Sequence, residues 1–223
     1  QTIRGMLVDE TEQPVAYANI VLLAMPDSAF VSGTVSDEKG NFVLNAADGD
    51  KIVRISSIGY VTLYRSCHAP DLGVIKLASD AQMLGEVVVK GQLPKTRLKG
   101  DALVTNIQNS VLSVAGSAND VLAKIPGIQG KDGDFTVFGK GTPVFYINGR
   151  LVRDKSELER LHSSDIKSVE VVNNPGAQYD ATVKAVVLIR TLKPVGEGLG
   201  FNVKTSNMYG EHFFTVNQLD FNY

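Results

Sequence analysis

Three histidines, His68, His162 and His212, are the side chains here best suited to hold a metal or move a proton near neutral pH. They lie far apart and lack Cys or carboxylate partners at metal-ligand spacing, so the sequence predicts no metal site. Gly139-Lys140-Gly141-Thr142 resembles the end of a phosphate loop. It lacks the first Gly of G-x-x-x-x-G-K-[ST], and a Gly follows the Lys, so it is set aside. Asp37, Glu38, Asp48 and Asp50 form no twelve-residue calcium pattern and read as turn residues. Ser56, Ser110 and Ser117 have no G-x-S-x-G context and no evident His and Asp partners. The expectation is a chain that is not an enzyme and takes no cofactor.

Main-chain chemistry is a better prospect. Leu84-Gly85-Glu86-Val87-Val88-Val89-Lys90 is an apolar run set in polar surroundings, with Ala81-Gln82 before it and Gly91, Pro94, Lys95 and Arg97 after it. Such a run can pair its backbone with the sheet edge of another protein, where hydrogen bonds give affinity and alternate side chains give selectivity. The other reading is a strand belonging to one of the flanking domains.

Composition narrows the field. The formal net charge is -2, and no Lys/Arg cluster is dense enough to suggest nucleic acid. With 43% hydrophobic and 21% charged residues the chain has a globular composition, and its 21 glycines and 8 prolines suit a turn-rich β fold. The single cysteine, Cys67, cannot form an internal disulfide and reads as a buried or half-buried structural thiol. No stretch approaches the ~20 apolar residues of a membrane-spanning helix. No charged n-region with an apolar h-region occurs, so the expectation is that these residues include no signal peptide, and a start on Gln1 fits an exported protein after processing.

The elements that would position these groups fall into blocks. Residues 1–79 carry about seven short strands, at 2–8, 18–23, 31–36, 42–44, 51–56, 60–66 and 72–77, with turns at 9–14 and 37–41. Close spacing without a helical period predicts a β-sandwich. Residues 80–100 read as a linker holding the apolar run. Ser117 with Asp120 caps a predicted helix whose stripe is Val121, Leu122 and Ile125 and which Pro126 ends. A small hairpin is expected around Asp132-Gly133. Val144-Phe145-Tyr146-Ile147-Asn148-Gly149-Arg150-Leu151-Val152 is a stronger one, because both central residues of its type I′ turn need positive φ. An amphipathic segment at 155–162, a strand at 165–172, a polar loop at 173–180 and a strand at 183–192 complete a mixed α/β unit. Beyond residue 195, the run 213–223 alternates in the manner of a barrel strand.

Two resemblances follow from these motifs. Gly5, Pro14-Val15, Ala18-Asn19, Gly33-Thr34, Asp37, Gly40-Asn41-Phe42 and Ser57-Ile58-Gly59-Tyr60 resemble the carboxypeptidase-regulatory-like domain, which implies a transthyretin-like sandwich without peptidase activity. The order Pro126-Gly127-Ile128, Phe145-Tyr146-Ile147-Asn148-Gly149-Arg150 and Ile166 to Asp180, including Asn174-Pro175-Gly176-Ala177-Gln178-Tyr179, resembles the plug domain of Bacteroidetes-type TonB-dependent outer-membrane receptors. The sequence departs from that pattern at 184–190, where a Gly-Val-Ile-Asn-Ile type strand is usual. The resemblance implies a mainly β chain with an α/β part: sandwich (1–79), linker (80–100), plug (101–194) and first barrel strands (195–223). Even a small barrel needs about eight strands, so a longer protein is expected. The resemblance makes Glu86, Val87, Val88 and Val89 the candidate TonB box. It makes Pro126, Gly127, Tyr146, Asn148, Gly149, Arg150, Pro175, Gly176 and Tyr179 the plug motif, with the 174–180 loop either facing the barrel lumen or serving as a structural turn.

The functional expectation is gated, energy-coupled uptake across the outer membrane. TonB would be the partner, a surface lipoprotein a further one, and outer-membrane lipid would surround the barrel. The rival expectations are a stand-alone periplasmic or surface interaction module and a structural or assembly barrel component without transport.

Overall fold

The computed structural model describes residues 2–25, 28–46, 51–67, 70–80, 93–176, 179–180 and 182–192 in full, and the backbone of 200–209 and 213–222. By its contacts the chain divides into two compact units, residues 1–192 and 193–223. It is mainly β with short helices and several sheets, and among the described residues no barrel closes.

The first seven strands are β1 (Thr2–Val8), β2 (Asn19–Ala24), β3 (Ala29–Val35), β4 (Asn41–Asn45), β5 (Lys51–Ser56), β6 (Leu63–Ser66) and β7 (Asp71–Lys76). They make a three-stranded sheet, β4-β1-β7, and a four-stranded sheet, β3-β2-β5-β6. Alternation explains the layering. Leu7, Ile20, Leu22, Phe42, Leu44, Val53, Ile55 and Ile75 are all buried and converge on one core between the sheets. The loop after β1 is held by Asp9, whose Oδ1 accepts from the Thr11 hydroxyl and the backbone N–H groups of Thr11 and Gln13. Asp37 caps the β3–β4 turn by accepting from the N–H groups of Lys39 and Asn41. The strand expected over 60–66 begins only at Leu63. Gly59 takes φ +86° before it, and Tyr60 forms an isolated bridge to Ser79 instead.

The second core lies under a six-stranded sheet. Its strands are β8 (Thr96–Lys99), β9 (Ala102–Asn106), β12 (Val144–Ile147), β13 (Arg150–Leu151), β14 (Ile166–Val172) and β15 (Val186–Thr191), in the order β13-β12-β15-β14-β9-β8. A two-stranded hairpin, β10 (Ile128–Lys131) with β11 (Asp134–Val137), stands apart from it. One face of the large sheet, with Leu103, Val169, Val171, Val187 and Ile189, is closed by Val121, Leu122, Ile125, Ile128, Phe135 and Leu158. Val121 and Leu122 lie on the helix Ala118–Leu122, and Leu158 on the helix Ser156–Arg160.

The Ser117 cap is present as a reciprocal box. The Asp120 N–H donates to Ser117 Oγ while the Ser117 N–H donates to Asp120 Oδ2. The helix stops at Leu122, short of Pro126, and the chain goes on in tighter turns in which the N–H groups of Lys124 and Ile125 donate to the carbonyls of Val121 and Leu122. One further point departs from expectation. Thr96–Lys99, expected in the linker, is the edge strand β8, joined to β9 through a Gly100-Asp101 turn with φ +60° at Gly100. At 184–190, the stretch noted above as departing from the plug pattern, Ala185, Val186, Val187 and Ile189 are all buried.

In the second unit β16 (Gly200–Tyr209) and β17 (Phe213–Asn222) form a ten-pair antiparallel ladder, from Gly200↔Asn222 to Tyr209↔Phe213.

Candidate functional site

The residues singled out above gather at three places. The first is the β12–β13 hairpin. Asn148 and Gly149 take φ +50° and +83°, the type I′ geometry that favours Asn-Gly. The Asn148 side chain does more than tolerate this backbone. Its Nδ2 donates to Thr191 Oγ1 at 2.7 Å, and its Oδ1 accepts the Thr191 N–H at 3.0 Å. The turn is thereby pinned to the end of β15, the parallel neighbour of β12. Arg150 leaves the turn toward the Glu157 carboxylate. That hydrogen bond, backed by the N–H groups of Arg153 and Asp154, holds the Glu157 carboxyl below its ordinary value against a partial burial that would raise it.

The second place is the opposite face of the same sheet. Alternation sends Phe145 into the core, edge-on to Phe135 at 6.1 Å, and Tyr146 to the other side. There its ring lies 5.6 Å from that of Tyr179. Pro175 and Gly176 lead into this contact, the Tyr179 N–H donating to the Gly176 carbonyl. Asn174 accepts from Lys140 Nζ at 2.8 Å. Ala177 and Gln178 lie outside the described residues.

The third place is a junction within residues 1–192, where the sandwich sheet meets the turn at Pro126 and Gly127. Both of these are buried. Asn19, at the start of β2, grips the turn from both sides. The Gly127 N–H donates to Asn19 Oδ1 at 2.8 Å, and Asn19 Nδ2 donates to the Ile125 carbonyl at 3.3 Å. Beside this clamp Gly33 of β3 admits the ring of Phe138. A Cβ at Gly33 would sit 2.6 Å from that ring, a separation no real side chain shows. Phe138 also stacks on Phe30, with centroids 6.2 Å apart and planes 14° apart. Tyr17, Val35 and Ile58 from the sandwich pack directly on the core of the α/β sheet. Asn19 and Gly33 stood in the first resemblance, but their contacts with Gly127 and Phe138 join segments about a hundred residues apart and have no local signature.

The structure thus brings Tyr146 to Tyr179, Asn148 to β15, and Pro126-Gly127 to Asn19, and does not assemble the nine motif residues into one pocket. The candidate TonB box, Glu86, Val87, Val88 and Val89, lies outside the described residues, as do His68, His212, Asp48 and Asp50. Among the described residues no three His, Cys, Asp or Glu side chains come together in a metal-sized group, and no helix is long and apolar enough to cross a membrane.

Comparison with known proteins adds the following. The CarboxypepD_reg-like domain family matches residues 3–89, a span that runs past β7 and takes in Glu86–Val89. The TonB-dependent receptor SusC of Bacteroides thetaiotaomicron is 28% identical, over 86% of this chain and 21% of its own length. The chain therefore spans about a fifth of that relative. Among solved structures, a 9R-lipoxygenase from Cyanothece PCC8801 aligns with 34% of this chain and 16% of its own at 13% identity and a TM-score of 0.25. A type II cohesin–X-dockerin complex from Acetivibrio cellulolyticus aligns with 41% of this chain and 65% of its own at 17% identity and a TM-score of 0.30. Neither solved structure bears on function at that level of likeness.

Proposed function

We propose that this chain is the N-terminal and plug portion of a TonB-dependent outer-membrane transporter that gates energy-coupled uptake of a substrate. The observation that carries the reading is the similarity to a TonB-dependent receptor over 86% of the chain, sandwich and α/β unit alike. In this reading residues 1–79 are a periplasmic accessory domain and 80–100 hold the TonB box at Glu86–Val89. The α/β unit is the plug in the lumen of a barrel, and β16 and β17 are the first barrel strands. The chain works by binding and rearrangement, not by catalysis.

The topology suggests where a pull would act. Force applied at residues 86–89 reaches the plug through β8, an edge strand whose only strand partner among the described residues is β9 and whose side chains are largely exposed. Behind it lie β14 and β15, central and buried, with the Asn148 pin at their far end. An exposed edge strand has little buried apolar surface to hold it, so it yields before the centre does. TonB is the energy-coupling partner, and a surface lipoprotein of the kind associated with such receptors is a further one.

Two experiments test this. The protein extracted from outer membranes should have a mass several times 24.0 kDa and heat-modifiable migration. A 24 kDa species in the soluble periplasm would end the transport reading and leave an interaction module. For the box, a TonB C-terminal domain titrated onto the protein should bind the wild type and lose affinity for Val88→Pro, which removes a ladder N–H. Equal affinity would place the box elsewhere.

A further inference from the structure

A cleft of about 590 Å³ opens between the outward face of the sandwich sheet and hairpin β10–β11, beside the Asn19 clamp. Its size lies within the range of natural ligand sites. We propose that this cleft binds an extended, acidic peptide segment of a partner protein.

Charge is the first argument. Arg54 enters from β5, and Lys124 and Lys131 from the opposite wall, while Asp80 is the one carboxylate on the described lining. None of the three cleft cations has an ion pair among the described residues. Three cations against one carboxylate leave the described lining with a positive excess, which favours an anionic partner.

The second argument selects a peptide among anions. Both walls offer backbone. β6 is the last strand of the sheet β3-β2-β5-β6, and β10 pairs only with β11, so each keeps an edge without a strand partner among the described residues. Tyr64 of β6 is the register partner of Arg54, which puts its ring on the same face as the guanidinium, where the stems of Glu side chains can pack. Cations and strand edges around one space match an acidic chain in extended form. The cleft lies wholly within residues 1–192, so the inference does not depend on the transport reading.

The test is fluorescence anisotropy on the whole chain with two labelled octapeptides, one alternating Glu and Val, the other Lys and Val. The acidic peptide should bind and the basic one should not. Raising salt from about 50 to 300 mM should weaken binding at least fivefold, since exposed pairs are screened. Arg54→Glu with Lys131→Glu should weaken it at least tenfold while the thermal midpoint stays near that of the wild type. Lys124→Gln, an exposed neutralisation, should weaken it by a smaller factor and guards against misfolding of the double variant. The proposal is overturned if the acidic peptide does not bind, if both peptides bind alike, or if the variants bind as tightly as the wild type. Dextran sulfate binding in place of the acidic peptide would overturn the assignment of a peptide.

Discussion

Asn148 does three things at one position: it accepts positive φ, turns the chain into β13, and bonds twice to Thr191. Asn148→Ala loses both side-chain bonds and the tolerance of that backbone, and should cost about 1–3 kcal/mol in chemical denaturation. Asn148→Gly keeps the backbone and should cost less, and a reversed order would mean that the bonds to Thr191 contribute little. Glu157, two turns of chain away, sets a pH dependence. Its folded carboxyl titrates below the ordinary value, so its contribution is present above the unfolded glutamate pKa of about 4.3. That contribution is lost as pH falls through the depressed folded value. Between pH 5 and 3 the thermal midpoint of the wild type should therefore drop further than that of Glu157→Gln, and parallel curves would contradict the assignment. Cys67 has the opposite sign. Burial pushes its thiol up, leaving less thiolate at pH 8. Iodoacetamide should alkylate it more slowly in the folded chain than in guanidinium.

At the scale of elements, what matters is how strands end and what they rest on. β8 has four residues and an outer edge, whereas β15 is buried between two neighbours. With optical tweezers pulling from residue 93 against residue 192, the first event should release only the length of β8, and initial loss of the 143–172 region would refute this order. Hairpin β10–β11 depends on a different support. It sits beside the Asn19 clamp, and Gly33 is what lets Phe138 approach the sandwich sheet. Asn19→Ala leaves the buried Gly127 N–H without its acceptor, at a cost of about 1–3 kcal/mol. Gly33→Leu drives a side chain into the Phe138 ring, with a cost of similar size. In both variants hydrogen exchange should rise across 126–141 and stay unchanged in β14 and β15. Uniform acceleration would mean global destabilisation and no local support.

At the scale of the molecule, residues 1–192 hold two hydrophobic cores, one inside the sandwich and one under the six-stranded sheet, yet cluster as one compact unit. Tyr17, Val35 and Ile58 belong to the first by chain position and pack on the second. Calorimetry should therefore give one cooperative transition for this unit, and Gly33→Leu should divide it into two. Two transitions in the wild type would show that the junction is too weak to couple the cores. In the transport reading this coupling means that whatever displaces the sandwich also loosens the turn at Pro126-Gly127, so accessory domain and plug act as one device.

The sequence by itself determined what depends on near neighbours. Apolar runs and alternation located most of the strands, because each residue of a strand reverses the side-chain direction. Asn148-Gly149 and Asp132-Gly133 marked two hairpins through positive φ, and Ser117 with Asp120 marked a helix start through reciprocal capping. The β8–β9 hairpin was missed, because the polar residues at 96–99 read as linker and form a strand whose exposed side chains carry no apolar alternation. Tertiary structure alone decided what joins distant segments. It determined that Asn19 would meet Gly127 and that Gly33 would make room for Phe138. It determined too that Arg54 would face Lys124 and Lys131 across one cleft. The physical reason is that each of these contacts rests on shape and charge meeting across two packed sheets. No spacing along the chain encodes which residue of one sheet will lie opposite a given residue of the other.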